Sequence, residues 1–236
     1  MAPERVSGCE RQNLIIDADD TLWENNIYFE RAFEEFCDVL SHSRMFPSEI
    51  RAVLDEIEIV NCRIHGYGSA NFTRGLTECY HRLVEREVCP EDLQAIMSLT
   101  GRILDHPMEL IPGVDETLEY LATRHDLTLF TKGDPEEQKL KLGRSGLGIY
   151  FGHTVVVKEK DAVSYGALVR DRNLDRSRTW MIGNSPKSDV NPALEAGLNA
   201  VFIPHEHTWR LEREEVRNGG GRLLQLERFA DLKQHF

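Results

Sequence analysis

Long hydrophobic runs, paired cysteines and an excess of positive charge are all missing from this chain of 236 residues. No stretch approaches the ~18 consecutive apolar residues of a membrane span. The five cysteines form no Cys-x-x-Cys pair, which favours reduced, structural thiols. With 40 acidic against 28 basic residues and a formal net charge of −12, the chain lacks the cations that bind a nucleic-acid polymer. We expect a cytoplasmic protein with no membrane or nucleic-acid partner, for which small phosphorylated substrates stay open.

The most informative feature that is present is an apolar run over residues 14–16 that stops abruptly at Asp17, Asp19, Asp20 and Thr21. Buried strands of α/β proteins end in this way and present chemistry at their carboxyl ends. Two acids separated by one small residue can divide the work, one contacting a cation and a reacting atom while the other handles a proton. An ordinary acidic turn after a strand is the alternative.

Strands and helices alternate through most of the chain. After residues 14–16, further strands are predicted over residues 127–130, 154–157, 179–182 and 199–203, with helical patterns between them. This alternation predicts an α/β fold with a doubly wound parallel sheet. Because the carboxyl ends of parallel strands meet at one edge, we expect the polar residues that follow these strands to lie close together.

Residues 23–108 have a different character. They are rich in Glu and Arg, and apolar positions such as Ile50 and Leu54 recur at helical spacing. We predict a helical domain inserted between two parts of an α/β domain, residues 1–22 and 109–236. Polar residues around a glycine turn of this insert either reach a substrate or are ordinary loop residues: His65, Tyr67, Asn71 and Arg74.

The sequence Asp17-Ala18-Asp19-Asp20-Thr21 closely resembles motif I, Asp-x-Asp-x-Thr, of the haloacid-dehalogenase-like (HAD) superfamily of phosphohydrolases. The resemblance covers residues 12–23 and 111–203. It implies a Rossmann-like HAD core, with Asp17 as nucleophile and Asp19 as general acid and base. An acid two positions after the nucleophile suits phosphatases and phosphomutases, whereas the dehalogenase branch typically lacks it. The insert stands where the superfamily carries its helical C1-type cap, which usually sets the substrate.

The next two motifs of the superfamily supply phosphate-binding groups. Thr131, followed by Lys132, resembles motif II, a hydroxyl that binds the phosphoryl group together with the backbone N–H groups after it. Taken alone, Thr131 would more simply be a strand-to-turn exit than a phosphate-binding group. Motif III is a lysine that neutralises nucleophile and phosphate, and both Lys158 and Lys160 are candidates. Lys160 is favoured because a helix start follows it, so the resemblance implies Thr131, Lys132 and Lys160 as substrate-binding residues.

Motif IV of the superfamily normally completes a metal site with Gly-Asp and a second Asp. This chain has Asn184 in place of the first Asp, and Asp189 as the second. An amide oxygen can still coordinate Mg²⁺, although the site loses one negative charge. The implied Mg²⁺ ligands are therefore Asp17, the backbone carbonyl of Asp19, Asn184 and Asp189. Asp189 could instead cap the helix that follows it.

The resemblance implies a Mg²⁺-dependent phosphatase that hydrolyses a small phosphorylated metabolite through an aspartyl-phosphate on Asp17. A non-catalytic HAD-like binding or regulatory protein stays open because of Asn184, and a phosphomutase stays open as well. Phosphonate hydrolysis is disfavoured because it needs a cap lysine, and no lysine occurs between Thr21 and Thr131. The substrate and the oligomeric state are left undetermined.

Three further segments lie outside these motifs. His205 and His207 could bind zinc, but no third ligand stands at a sensible spacing, so we expect them to border the site instead. Trp23 is expected in the core. Residues 210–217 are predicted to form a solvated helix and residues 218–221 a flexible turn.

Overall fold

The computed structural model of the protein describes residues 10–236, which form two compact units. Residues 10–24 and 108–236 make up an α/β unit, and residues 25–107 make up a helical unit. None of the helices in the described part of the chain has the length and apolar character that crossing a bilayer requires. Cys9 lies outside the described residues, and the other cysteines carry free thiols: Cys37, Cys62, Cys79 and Cys89.

The strands of the α/β unit form one sheet, and every neighbouring pair in it is parallel. They are β1 (Asn13–Ile16), β2 (Asp126–Lys132), β3 (His153–Val157), β4 (Thr179–Gly183), β5 (Asn199–Phe202) and β6 (Leu223–Gln225). Their order across the sheet is β3-β2-β1-β4-β5-β6, which places β1 at the centre between β2 and β4. The predicted α/β class with a doubly wound parallel sheet is confirmed, whereas β6 was not predicted.

The α-helices of the described residues follow the alternation expected from the sequence. They are α1 (Asn26–Val39), α2 (Pro47–His65), α3 (Ser69–Leu83), α4 (Pro90–Asp105), α5 (Val114–Ala122), α6 (Pro135–Ser145), α7 (Ala162–Arg172) and α8 (Asn191–Glu195). The first four belong to the helical unit and the last four to the α/β unit.

Both faces of β1 are buried, which explains why this strand is continuously apolar. Leu14 and Ile16 point into a core that includes residues of α5 and of the short helical segment Phe229–Gln234. Ile15 points to the opposite face, into a core that includes residues of α7. Side chains alternate along a strand, so this division follows from the sequence itself. Trp23 is almost fully buried in the first of these cores, as expected.

The backbone of the predicted flexible turn at residues 218–221 lies close to residues 194–199 of the same unit. The N–H of Gly220 donates to the carbonyl of Leu194 at 3.1 Å. A Cβ on Gly221 would lie only 1.8 Å from the carbonyl oxygen of Leu198, so no other residue fits there without a shift. A Cβ on Gly219 would likewise lie 2.4 Å from Cβ of Leu194, so close approach requires glycine at positions 219 and 221 ahead of β6.

The helical unit has its own apolar core, to which all four of its helices contribute. Its fully buried members include Phe36, Leu54, Leu76 and Ile96. Asn71 of α3 donates to the carbonyl of Gly66 at 2.7 Å, which closes the turn between α2 and α3. A structural contact therefore accounts for this one member of the polar group noted in the sequence.

Glu58 of α2 is a buried acid whose second oxygen, Oε2, has no hydrogen-bond partner. Burial raises the pKa of Glu58 to about 7; Arg51 opposes the shift, and the nearby acids Asp55 and Glu30 add to it. A carboxyl whose folded pKa exceeds its ordinary value of 4.5 destabilises the fold as it ionises. The free energy of unfolding should therefore fall as the pH rises from about 4.5 through about 7.

We expect Glu58→Gln to stabilise the protein relative to the native chain by about 2 kcal/mol at pH 8, and to leave the free energy of unfolding nearly unchanged at pH 4.5. Urea unfolding at both pH values measures the difference. Glu56→Gln, two positions away on the exposed side of α2, is the matched control and should change little at either pH. An equal effect of Glu58→Gln at both pH values would contradict a titrating Glu58.

Candidate active site

A tight turn after β1 presents the acidic residues of the first motif. The N–H of Asp17 donates to the carbonyl of Ile182 at 2.9 Å, which ties the end of β1 to β4. The chain then reverses through a hydrogen bond of 2.8 Å from the N–H of Leu22 to the carbonyl of Ala18. Asp20 has a φ of +58° in this turn, a left-handed conformation that Asp tolerates better than most residues. Asp17 is thereby held at the central carboxyl edge of the sheet.

Lys160 joins Asp17 to Asp189. Its ammonium contacts Oδ1 of Asp17 and lies 2.8 Å from Oδ1 of Asp189. All three side chains are almost completely buried, with exposed fractions of 1% for Lys160 and Asp189 and 9% for Asp17. The other lysine weighed for this role, Lys158, is exposed. Residues at the ends of three different strands thus converge on a single ammonium group.

The charges of this cluster do not balance. Burial alone would lower the pKa of Lys160, but the carboxylates of Asp17 and Asp189 outweigh it and raise that pKa, so the lysine stays charged. Burial and the charge of Asp17 together raise the pKa of Asp189 to about 7, although Lys160 acts in the opposite direction. One ammonium therefore serves two buried carboxylates, and a further cation at this point would be favourable.

The loop after β4 turns Asp189 inward rather than leaving it to cap a helix. The segment Pro186–Val190 forms a π-helical turn capped by Ser185, whose N–H donates to Oδ2 of Asp189 at 2.9 Å. A Cβ on Gly183 would lie 2.2 Å from the same carboxylate oxygen, so glycine is required where β4 ends. The helix α8 starts only at Asn191, which removes the capping alternative for Asp189.

Asn184 presents its amide oxygen toward the first motif. The Thr21 hydroxyl donates to Oδ2 of Asp17 at 2.9 Å and lies 3.3 Å from Oδ1 of Asn184. On its other side, Nδ2 of Asn184 donates to the hydroxyl oxygen of Thr208 at 2.9 Å. The carboxylates of Asp17 and Asp189 and the amide oxygen of Asn184 form a set of hard oxygen donors. Such a set fits Mg²⁺, which prefers carboxylate and carbonyl oxygens.

Asp19 belongs to a separate set of contacts. Its carboxylate accepts hydrogen bonds from the Trp23 indole at 2.7 Å and from the Gln138 amide at 2.8 Å. The Lys141 ammonium lies 3.0 and 3.1 Å from its two oxygens. Burial alone would raise the pKa of Asp19, but Lys141 and the two hydrogen bonds lower it below its usual range. These contacts fix the orientation of the Asp19 carboxylate.

The helix α6 supplies two of these partners because its start is well defined. Asp134 caps it by accepting from the N–H groups of Glu136 and Glu137 at 3.0 and 2.9 Å. Gln138 and Lys141 follow at a spacing of three residues, which puts both on one helix face. The cap therefore sets the direction from which both side chains reach Asp19.

The two residues of the second motif, Thr131 and Lys132, have different surroundings. Thr131 is almost fully buried near the end of β2, where its hydroxyl contacts the carbonyl of Lys132 at 3.4 Å. The ammonium of Lys132 donates to Ser188 at 2.8 Å and to Glu212 at 2.7 Å. The structure thus places the Lys132 side chain in a different cluster from the Asp17, Lys160 and Asp189 group. Its backbone N–H remains the group that the motif implies for phosphate.

Glu212 is the centre of this second cluster and overturns one prediction. Its carboxylate accepts from Lys132, from Ser185 at 2.7 Å and from Ser188. Burial would raise the pKa of Glu212, but Lys132 and these hydroxyls lower it. The solvated helix predicted for residues 210–217 is wrong: only Arg210–Glu212 form a short 3₁₀ turn, because Glu212 turns inward to this ion pair.

We expect Glu212→Ala to lower the free energy of unfolding by about 3 kcal/mol, because it removes the buried carboxylate that lies 2.7 Å from the buried Lys132 ammonium. Urea unfolding measures this loss. Glu215→Ala removes an exposed carboxylate from the same segment and should cost almost nothing. Equal stability of the two variants would show that the Glu212 pair contributes no net stability.

His205 borders the first motif, as expected, but it does not form a pair of ligands with His207. Its Nε2 lies 3.4 Å from Oε1 of Glu24, and its Nδ1 lies 3.9 Å from Oδ1 of Asp20. Ligand atoms of Asp20, Glu24 and His205 all lie within 4.8 Å of one another, close enough to hold a metal ion. The imidazole turns Nε2 toward Glu24 and Nδ1 toward Asp20, and Nδ1 also accepts a hydrogen bond from the N–H of His207 at 3.3 Å.

Four side chains that hold these groups in place were not predicted from the sequence. Gln138 and Lys141 carried a usable signal, since their spacing places two polar groups on the inner face of an amphipathic helix. Thr208 and Glu212 carried none, because they lie more than 20 residues beyond the loop they contact and follow no motif.

Comparison with known proteins adds a family and several relatives. The family model for haloacid dehalogenase-like hydrolases matches residues 12–197. A curated relative, pyrimidine 5′-nucleotidase YjjG of Escherichia coli (strain K12), is 30% identical over 104 residues. That alignment covers 41% of this chain and 46% of the nucleotidase, so the matched region spans less than half of the curated relative.

Solved structures match over nearly the whole chain. A haloacid dehalogenase-like hydrolase from Xanthomonas campestris has a TM-score of 0.81 and 31% identity, covering 97% of this chain and 91% of its own. L-2-haloacid dehalogenase from Xanthobacter autotrophicus has a TM-score of 0.63 at 11% identity, covering 94% of this chain and 97% of its own. The second match shows a shared fold alone.

Proposed function

Because this chain belongs to the family of haloacid dehalogenase-like hydrolases, we propose that it is a Mg²⁺-dependent phosphatase acting on a small phosphate monoester. The observation that carries the proposal is the buried cluster in which the Lys160 ammonium contacts Asp17 and Asp189, with the amide oxygen of Asn184 beside them. Residues 23–108 are proposed as the cap that selects the substrate, since they follow the first motif directly in the chain.

In the proposed first half-reaction, a carboxylate oxygen of Asp17 attacks phosphorus and forms an aspartyl-phosphate. The bond from phosphorus to the ester oxygen breaks, and protonated Asp19 gives its proton to that leaving oxygen. Trp23, Gln138 and Lys141 hold Asp19 at a defined position as the carboxylate and lower its pKa, so their contacts support its role as proton acceptor in the second half-reaction. The proton that Asp19 gives up here is the one it gains from water in that second half-reaction.

In the second half-reaction, Asp19 accepts a proton from a water molecule that attacks the phosphorus of the aspartyl-phosphate. The bond between phosphorus and the Asp17 oxygen breaks, which releases inorganic phosphate and regenerates the Asp17 carboxylate. Lys160, the Thr131 hydroxyl and the backbone N–H of Lys132 are proposed to hold the phosphate oxygens.

Mg²⁺, when bound, would offset the repulsion between the nucleophile and the phosphate. Asp17, Asp189, the amide oxygen of Asn184 and the backbone carbonyl of Asp19 are proposed as its protein ligands. Two observations support this choice. The buried carboxylates of Asp17 and Asp189 share the Lys160 ammonium, and the Thr21 hydroxyl links Asp17 to the amide oxygen of Asn184. The amide at position 184 makes the donor set less negative by one charge than a carboxylate would, but it still offers an oxygen ligand.

Two features favour a phosphate monoester over a haloacid as substrate. A second acid, Asp19, stands two positions after Asp17 and is held in a defined orientation by three donors, and proton transfer to a leaving alcohol oxygen needs a second acid. The relative with 30% identity is by name a pyrimidine 5′-nucleotidase, which supports nucleoside monophosphates as members of the first substrate panel.

The experiment is phosphate release from a generic aryl phosphate and from a panel of nucleoside and sugar monophosphates, with Mg²⁺ and with a chelator. Chloride release from 2-chloropropionate is measured in parallel. We expect phosphate release that requires Mg²⁺ and no chloride release. Chloride release without phosphate release would contradict the proposal and favour a dehalogenase. Mg²⁺ binding without either activity would favour a phosphomutase or a non-catalytic protein.

A further inference from the structure

The amide of Asn184 is a buried group whose two ends differ chemically, so its orientation decides what the end of β4 offers to a cation. Its oxygen can coordinate a metal, whereas its NH₂ group repels one. A carboxylate at this position would present oxygen in either orientation. Some neighbouring group must therefore distinguish the two ends of the amide if Asn184 is to act as a ligand.

Thr208 supplies that distinction through its single hydroxyl proton. The Thr208 hydroxyl donates to the carbonyl of His205 at 2.9 Å, and a hydroxyl has only one hydrogen to donate. The same oxygen must then act as the acceptor toward Asn184, whose Nδ2 lies 2.9 Å away. Both Thr208 and Asn184 are buried, so water does not compete freely for these groups.

The opposite end of the amide consequently faces the first motif. Oδ1 of Asn184 lies 3.3 Å from the Thr21 hydroxyl, which makes its shorter hydrogen bond, 2.9 Å, to Asp17. The amide oxygen therefore retains lone-pair capacity on the side where the carboxylate of Asp17 stands. The chain of contacts runs from the His205 carbonyl through Thr208 and Asn184 to Thr21 and Asp17.

We propose that Thr208 is a positioning residue that sets the polarity of the Asn184 amide, so that this amide gives an oxygen ligand to a divalent cation. The proposal rests on the proposed function, because it takes Asn184 as part of the Mg²⁺ site. It explains how an Asn replaces the expected Asp: the lost carboxylate is compensated by a hydroxyl that fixes which end of the amide faces the cation.

The proposal makes Thr208 necessary only while position 184 is an amide. Thr208→Val keeps the shape of the side chain but removes the acceptor, and we expect it to weaken Mg²⁺ binding by about 10- to 100-fold. Thr208→Ser keeps the hydroxyl and should bind Mg²⁺ nearly as the native protein does. In an Asn184→Asp background, Thr208→Val should change Mg²⁺ affinity little, since both ends of the side chain are oxygen.

The test is Mg²⁺ titration by calorimetry, repeated with Mn²⁺ by electron paramagnetic resonance, on the native protein and on four variants. These are Thr208→Val, Thr208→Ser, Asn184→Asp and the Asn184→Asp/Thr208→Val double variant. Urea unfolding of each shows whether it is folded. The double variant also controls for any change that Thr208→Val causes in the turn at His205, because that change is present in both backgrounds.

Each outcome separates the inference from the proposed function. A large loss with Thr208→Val in the native background, rescued by Thr208→Ser and absent in the Asn184→Asp background, supports the inference. Unchanged affinity of Thr208→Val, or an equal loss in both backgrounds, overturns it while leaving the Mg²⁺ site intact. Absence of Mg²⁺ and Mn²⁺ binding by the native protein overturns the metal site itself and the inference with it.

Discussion

Replacing Asp17 by Asn is expected to lower kcat for phosphate release by about 10⁴- to 10⁶-fold, the range found when an essential nucleophile is removed. The amide keeps the size of the carboxylate but is a far weaker nucleophile toward phosphorus. Steady-state phosphate release at saturating Mg²⁺ measures the effect. Phosphate release should be slower at every substrate concentration, and saturating substrate should not restore it, because the covalent step itself is removed.

The control for Asp17→Asn is the same chemical change at an exposed site. Asp171→Asn lies at the solvent-facing end of α7 and should leave phosphate release unchanged. Asp17→Asn also relieves one of the two carboxylates that share Lys160, so its urea unfolding is measured to show that the variant is folded. Residual activity within about tenfold of the native protein would exclude Asp17 as nucleophile.

Lys160→Met should lower both activity and stability. The substitution removes the ammonium group that contacts both Asp17 and Asp189, two buried carboxylates. Breaking a buried ion pair in this way costs about 3–5 kcal/mol in the free energy of unfolding. Loss of one charged donor to the developing phosphoryl charge costs about 10²- to 10³-fold in kcat.

Lys158→Met is the matched control, since it removes an exposed ammonium from the same loop. Urea unfolding and phosphate release are measured for both variants in parallel. We expect Lys158→Met to resemble the native protein in both. If Lys158→Met lost activity and Lys160→Met did not, the lysine at 158 would be the phosphate-binding group, contrary to the burial of Lys160 between the two carboxylates.

The fold was largely predictable because its determinants are local in the sequence. The run Leu14 to Ile16 is apolar on both faces, which is the pattern expected of a strand covered on both sides of a sheet. The strand β6 escaped prediction because Leu223 to Gln225 is short and mostly exposed, so it carries neither an apolar run nor a clear alternation.

The site was predictable only as far as strand ends specify it. Asp17, Asn184 and Asp189 follow strands of the sheet, and parallel topology brings such ends together. Glu212 and Thr208 lie in an irregular segment beyond β5, where no periodicity indicates which side chains turn inward. Their positions depend on pairing with Lys132 and Asn184 far along the chain, and a single sequence contains no record of such pairs.

Transfer of phosphate to Asp17 can be tested by trapping the aspartyl-phosphate intermediate. The protein is mixed with substrate and Mg²⁺, quenched in acid within the first turnover, and digested for mass spectrometry. We expect a phosphoryl group on the peptide that contains Asp17, absent without Mg²⁺ and absent in Asp17→Asn. Substrate turnover with no phosphorylated Asp17 peptide at any quench time, or with the phosphoryl group on another residue, would contradict it.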